Sequence, residues 1–281
     1  VQAMWEAGPT ANWMTNYSSG MAAYWAFGNH NEVGGLPADT TTILYDRSGR
    51  SRRVTSSSIS NAPHKGKLII PGSGARHSTD VKNFGSSAIQ AIDRTIELDV
   101  ESGTGTDLFG ITTGEFTIES WVNNTYWYNG RFFNSSTDDH TGFAVEFPGA
   151  TGALSLYWST NGTSHNIYSN KDINITLDFS SWTHIVFQRK DGIFQTYKNG
   201  MLTFSDANAN SLRYDGNFRI MNNHDGTYGF QGFIDEFGVY DVAKYNPVAL
   251  PGRATITPSY LSDPSGNQFT TSGLAITDQM L

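Results

Sequence analysis

The residues best spaced for chemistry are three carboxylates, Glu97, Asp99 and Glu101, separated by Leu98 and Val100. Strand side chains alternate between two faces, so the three acids share one. The outer pair, two pleats apart, suits a nucleophile and an acid/base set about 5–5.5 Å apart across a scissile glycosidic bond. The plainer reading, and the preferred one, is a solvated edge strand with Ile96, Leu98 and Val100 turned to a core.

Two other groups carry potential chemistry. Asn222-Asn223-His224-Asp225-Gly226 and Ser136-Thr137-Asp138-Asp139 are the richest clusters of hard oxygen ligands. They make calcium the cofactor to expect, with Asp138, Asp139, Asn222 and Asp225 as candidate ligands, although neither has the spacing of a dedicated calcium loop. Asn123-Asn124-Thr125-Tyr126-Trp127-Tyr128-Asn129 reads as a hairpin loop of three aromatics among amides. Aromatic rings offer sugars a stacking platform, so Asn124, Tyr126, Trp127, Tyr128 and Trp158 are the glycan-binding candidates, with Tyr157 beside them. The plainer reading puts half of these rings in a core. Trp121 and Trp182 are expected to be buried.

Composition removes several classes. The net charge is −8, which argues against a general nucleic-acid binder. There is no cysteine, so no disulfide or thiolate zinc site staples the fold. No apolar run approaches the roughly 18 residues of a membrane span. Gly103-Thr104-Gly105 lacks a following helix, and no Gly-x-Ser-x-Gly elbow occurs.

The elements that must position these residues are strands. Aromatics make up 13% and charged residues only 16% of the 281 residues, against roughly 25% charged in an ordinary domain. From residue 96 short strands recur: Ile96–Val100, Glu115–Asn123, Gly130–Asn134, Gly142–Phe147, Ala153–Ser159, Ser164–Tyr168, Thr183–Arg189, Ile193–Lys198, Met201–Ser205, Asn217–Met221 and Gly232–Tyr240. Lys190-Asp191-Gly192 and Lys198-Asn199-Gly200 are tight hairpin signals. Residues 20–27 read as a first strand. Residues 46–95 read as a loop-rich insertion, with a basic cluster at Arg47, Arg50, Arg52 and Arg53 that could dock on a neighbouring acidic subunit. Residues 1–19, with Trp5 and Trp13, read as an N-terminal arm, and residues 247–281 as an extended C-terminal tail. Many short strands with turn signals and no helical period predict an all-β, two-sheet antiparallel sandwich over residues 20–246.

Four segments in order carry a family resemblance: Tyr24-Trp25-Ala26-Phe27, Phe116-Thr-Ile-Glu-Ser-Trp-Val122, Trp182-Thr-His-Ile-Val186 leading into Ile193-Phe-Gln-Thr-Tyr-Lys-Asn-Gly200, and Gly232-Phe-Ile-Asp-Glu-Phe-Gly-Val-Tyr-Asp-Val-Ala243. Together they resemble the laminin-G-like, concanavalin A-like jelly-roll lectin superfamily, especially its bacterial and phage members. The resemblance implies a jelly-roll sandwich, and calcium at loop or strand-end carboxylates, which implicates Asp46 or Asp235. Glu97-Leu-Asp-Val-Glu101 is similar to the catalytic strand of laminarinase-type retaining glycoside hydrolases. The expectation is a non-enzymatic recognition or structural module on a virion or extracellular surface. It would present a glycan-binding domain and contact sister subunits or other surface proteins through its arms. The alternatives are a laminarinase-like hydrolase using Glu97 and Glu101, and a structural subunit without a ligand.

Overall fold

The computed structural model describes residues 21–25, 43–45, 53–55, 67–69, 75–84, 87–96, 98–101, 111–126, 129–135, 142–149, 151–213, 217–223, 226–250 and 253–258. Every regular element among them is a strand, and the strands form two large antiparallel sheets around one core.

The first sheet holds β1 (Met21–Trp25), β5 (Ala75–Ser78), β6 (Ala88–Ala91), β8 (Phe116–Asn124), β13 (Trp182–Lys190), β14 (Ile193–Lys198), β15 (Met201–Ala207), β17 (Gly232–Tyr240), β18 (Tyr245–Leu250) and β19 (Arg253–Pro258). Their order is β18-β19-β15-β14-β13-β8-β17-β6-β5, with β1 also paired to β17. The second sheet is built from β3 (Arg53–Thr55), β7 (Leu98–Glu101), β9 (Gly130–Asn134), β10 (Phe143–Phe147), β11 (Ala153–Trp158), β12 (Tyr168–Thr176) and β16 (Asn217–Ile220). Their order is β12-β11-β10-β9-β16-β7-β3. A small pair, β2 (Ile43–Tyr45) and β4 (Lys67–Ile69), stands apart.

Alternation explains the core. On β8, Phe116, Ile118 and Val122 face the second sheet and are buried, as are Ile185 and Phe187 on β13. From the other side, Phe133 stacks on Phe218 at 5.6 Å and meets Phe187 edge-on at 5.3 Å. Burying each such ring is worth about 1.5–3 kcal/mol, with edge-on packing adding to it. The two expected tight turns are present. Asp191 and Gly192, and then Asn199 and Gly200, all take positive φ, the geometry a two-residue hairpin loop requires.

The outward face of the first sheet is also closed at its centre. Thr117, Glu119 and Gln188 point away from the core yet are essentially inaccessible. The chain leaving β17 is stitched across them. Thr117 Oγ1 donates to the Val242 carbonyl and accepts from the Lys244 amide, and the Gln188 side chain exchanges hydrogen bonds with both backbone groups of Tyr245. The Glu119 carboxylate accepts from Lys244 Nζ and the Tyr245 hydroxyl, with His184 Nε2 at 3.6 Å. Burial pushes the Glu119 carboxyl up, but Lys244 and His184 outweigh it and hold it well below its ordinary value.

Several expectations need correction. The segment 46–95 is not wholly an insertion, because β5 and β6 extend the first sheet and β3 borders the second. Ala88, Ile89 and Ala91 are core residues. The tail does not begin at residue 247, since β18 and β19 form a hairpin on β15. Pro247 is tolerated there because β18 is the outermost strand. The strand expected at Ser164–Tyr168 instead starts at Tyr168 and runs to Thr176. β7 is no edge, because it lies between β16 and β3. Trp121 and Trp182 are half-buried rather than buried. Trp121 stacks on His184 at 5.1 Å and meets Phe84 edge-on at 5.3 Å, on the outward face. Residues 1–19 and 259–281 lie outside the described residues.

Candidate functional site

One end of the sandwich gathers exposed rings. The first sheet brings the last residues of β8, the first of β13 and β17, and the last of β6 to this end. Beyond them stand Tyr126 (50% exposed), Phe179 (52%), Tyr228 (47%) and Ile92 (37%). Among the described residues the other large hydrophobics exposed to this degree are Ile193 (41%) and Met201 (43%), and the rest are mostly buried. The backbone holds the segments together. Asn124 bridges Phe179, the Ser180 amide donates to the Asn124 carbonyl at 2.8 Å, and the Thr125 amide donates to the Gln231 carbonyl at 3.2 Å.

Tyr228 is fixed by its neighbours. The Arg131 amide donates to the Tyr228 carbonyl at 2.7 Å, and the Gly229 amide to the Arg94 carbonyl at 3.0 Å. A Cβ on residue 229 would lie 2.4 Å from that carbonyl oxygen, so glycine is required for the approach. The Arg94 guanidinium lies over the Tyr228 ring, 5.5 Å from its centroid, and donates to the Asn129 carbonyl at 2.6 Å.

The predicted glycan residues divide. Tyr126 stands at this end, and Asn124 lies beneath it, 1% exposed, accepting from the Tyr126 amide at 3.4 Å. Asn124 therefore shapes the loop from below. Trp127 and Tyr128 lie outside the described residues. Trp158 is a correction. It is 0% exposed, packs edge-on against Phe143 at 5.2 Å and Phe194 at 5.4 Å, and donates Nε1 to the Ser211 carbonyl. Leu154, Leu156 and Trp158 share the inward face of β11, so Tyr157 is the outward ring. Tyr157 sits 4.8 Å from the His165 ring with Arg131 over it, and burial together with the Glu146 carboxylate pushes its phenol up. Sequence reasoning missed Phe179, Tyr228 and Arg94, which lie far along the chain from the aromatic loop.

Of the metal candidates, Asn222 and Asp235 lie among the described residues. Asp138, Asp139, Asp225 and Asp46 lie outside the described residues. Asn222 is fully buried, and its amide donates to the Arg94 and Ile96 carbonyls while its oxygen accepts from Asn223, which makes it a structural tie. Asp235 is 0% exposed. Its Oδ2 accepts the Asn83 and Phe84 amides at 3.1 and 2.9 Å, its Oδ1 has no partner, and burial pushes its pKa up to about 7. In the same patch Asn123 Oδ1 is an unpartnered acceptor, while Trp121 Nε1 and Asn83 Nδ2 are unpartnered donors. Two oxygens beside two N–H groups are not a calcium shell, which takes six to eight oxygens. No cluster of three or more His, Cys, Asp or Glu suited to a metal occurs among the described residues.

The carboxylate strand is paired on both sides. Asp99 lies opposite Arg219 on β16 and Thr55 on β3, and Glu101 lies opposite Asn217 and Arg53. Glu97 lies outside the described residues.

Residues 99–245, more than half of the chain, match the family model for the concanavalin A-like lectin/glucanases superfamily. The chain belongs to that superfamily. Several solved structures share its architecture. Domain 4 of AbnA, a GH43 extracellular arabinanase from Geobacillus stearothermophilus, solved with arabinotriose, is similar with a TM-score of 0.53 and 17% identity over 86% of this chain and 96% of that one. The binding domain of Paraclostridial Mosquitocidal Protein 1 gives a TM-score of 0.54 and 13% identity over 80% of this chain and 49% of that one. The botulinum neurotoxin serotype D ligand-binding domain, solved with N-acetylneuraminic acid, gives 0.53 and 11% over 82% and 49%. The chain thus spans about half the length of the two toxin domains. No curated protein matches the sequence. At these identities the likeness establishes the concanavalin A-like fold alone.

Proposed function

We propose that this chain is a non-catalytic carbohydrate-recognition module displayed on an extracellular or virion surface, and that the end bearing Tyr126, Phe179 and Tyr228 is its glycan-facing surface. The observation that carries the reading is three aromatic side chains, each about half exposed, on separate segments that the Asn124–Phe179 and Arg131–Gly229 bridges and the Thr125–Gln231 hydrogen bond bring to one end of the sandwich. Exposed rings on fixed backbone bind with little ordering cost, which suits recognition of a sugar's C–H face. Similar structures lend support, since arabinotriose and N-acetylneuraminic acid are bound by proteins of this fold. The register of β7 favours binding over hydrolysis, because Asp99 and Glu101 each lie opposite an arginine. A chain with few charged residues fits display outside the cell, where the segments before and after the sandwich would contact sister subunits.

A glycan array probed with the full chain tests the reading. Wild type should retain a defined set of glycans, and Phe179→Ala with Tyr126→Ala should weaken them about tenfold or more. Turnover of laminarin by wild type, lost in Glu97→Gln with Glu101→Gln, would instead establish the hydrolase.

A further inference from the structure

The charges around the aromatic end bear on the kind of glycan it accepts. The cations bordering it among the described residues are each held by protein oxygens. Arg94 donates to the Asn129 carbonyl at 2.6 Å while lying over Tyr228. Arg131, 7% exposed, pairs with Glu146 at 3.1 Å and donates to Asn223 Oδ1 at 2.5 Å. Arg219 donates to the Asn223 carbonyl at 3.1 Å, and Asp99 is opposite it in register. Lys198, at the β14 terminus, donates to the Thr176 carbonyl at 2.6 Å and pairs with Asp178 at 3.2 Å. Carboxylates are thus paired with Arg131 and Lys198, backbone carbonyls accept from Arg94 and Arg219, and Asp93, next to Arg94 in sequence, adds an exposed carboxylate that caps Thr95.

The rest of the chain reinforces this balance. Its net charge is −8, so a carboxylate, sulfate or phosphate on a sugar would approach a negative field. Once there it would have to draw a guanidinium away from oxygens already bonded to it, and partner exchange of this kind yields little net gain. Phe179 carries no polar atom, and its only offer to a ligand is the ring face. Tyr126 and Tyr228 add ring faces with one hydroxyl each. Such a surface is matched by the C–H face of a pyranose or furanose ring with neutral hydroxyls at its rim.

We propose that the aromatic end takes an uncharged saccharide, docked on Phe179, Tyr126 and Tyr228, and discriminates against glycans bearing carboxylate, sulfate or phosphate groups. This rests on the glycan reading above and names the ligand class of the same site. It runs against the acidic sugar seen in one similar toxin domain, so the two are separable by experiment.

The test is an array carrying uncharged glycans (arabinan, glucan, galactan and lactose-type) beside sialylated, uronic-acid and sulfated ones. It is probed with the full chain at about 50 mM and about 500 mM NaCl, which spans the range where screening removes long-range charge effects. The expected result is retention of uncharged glycans, with affinity changing less than about twofold between the two salts. Phe179→Ala and Tyr228→Ala, checked for wild-type melting behaviour, should lose that retention together. Tightest binding to acidic glycans, falling about tenfold with added salt, would overturn the charge argument while leaving glycan recognition standing. Retention that persists in both variants would place the ligand elsewhere and overturn the assignment. Failure of wild type to hold any glycan would remove the glycan reading itself, and this inference with it.

Discussion

Replacing Asp235 with asparagine should change how stability depends on pH. The carboxyl is 0% exposed, and the two amides donated to Oδ2 do not offset the cost of burying its charge, so its pKa is pushed up to about 7. In the unfolded chain it titrates near 3.9. The fold therefore binds this proton more tightly than the unfolded chain does. Its contribution to stability is complete below about pH 4 and is lost as pH rises to about 7. Three pKa units at 1.36 kcal/mol each amount to about 4 kcal/mol. Asparagine keeps an acceptor for Asn83 and Phe84 and never ionises. Urea unfolding of both proteins from pH 4 to pH 8 isolates the effect, because every other titrating group cancels in the difference. That difference should move towards the variant by about 4 kcal/mol across the window. A constant offset would show that Asp235 is solvated or paired, and would refute the reasoning.

Two other substitutions test the packing. Glu119→Gln should cost about 3–5 kcal/mol in urea unfolding at pH 7, since it leaves Lys244 as a buried charge without its partner. Because Glu119 is held below its ordinary value, the wild-type advantage should be full above about pH 4.5 and shrink as the solution is acidified through the lowered pKa. Trp158→Ala should cost about 3–5 kcal/mol by opening the core between Phe143 and Phe194, while glycan retention per folded molecule stays unchanged. A loss of retention with no loss of stability would return Trp158 to the ligand.

Much of the fold was legible because short runs of β-branched and aromatic residues end at turn residues. Gly130–Asn134, Ile193–Lys198 and Gly232–Tyr240 stand at the bounds expected from pattern alone. β12 was misplaced because an outer strand needs little apolar content. Only Tyr168, Ile173 and Ile175 of its residues are buried, and Asn170 and Asn174 take positive φ. β5 and β6 were hidden by brevity, since Ala88-Ile89-Gln90-Ala91 carries one large apolar residue. Within the site, Tyr126 could be read from its loop composition. Phe179 and Tyr228 could not, because their meeting is set by strand register across distant segments. Trp158 was misassigned by treating adjacent rings as equivalent, although alternation allows only one of Tyr157 and Trp158 to face outward. Glu119 gave no local signal, because what buries it arrives from residues 242–245.

The position of β17 constrains the order in which the molecule can be assembled. It fills the gap between β8 on one edge and both β6 and β1 on the other, with Met21 opposite Tyr240. During synthesis the earlier strands are complete long before their common neighbour leaves the ribosome. Until then β1, β6 and one side of β8 carry open backbone edges of the kind that pair indiscriminately. Closure of the sheet is a late event spanning nearly the whole sequence, which places this chain among slow, topology-limited folders. A nascent chain halted before residue 232 would still carry those open edges, a route to aggregation whatever the stability of the finished sandwich.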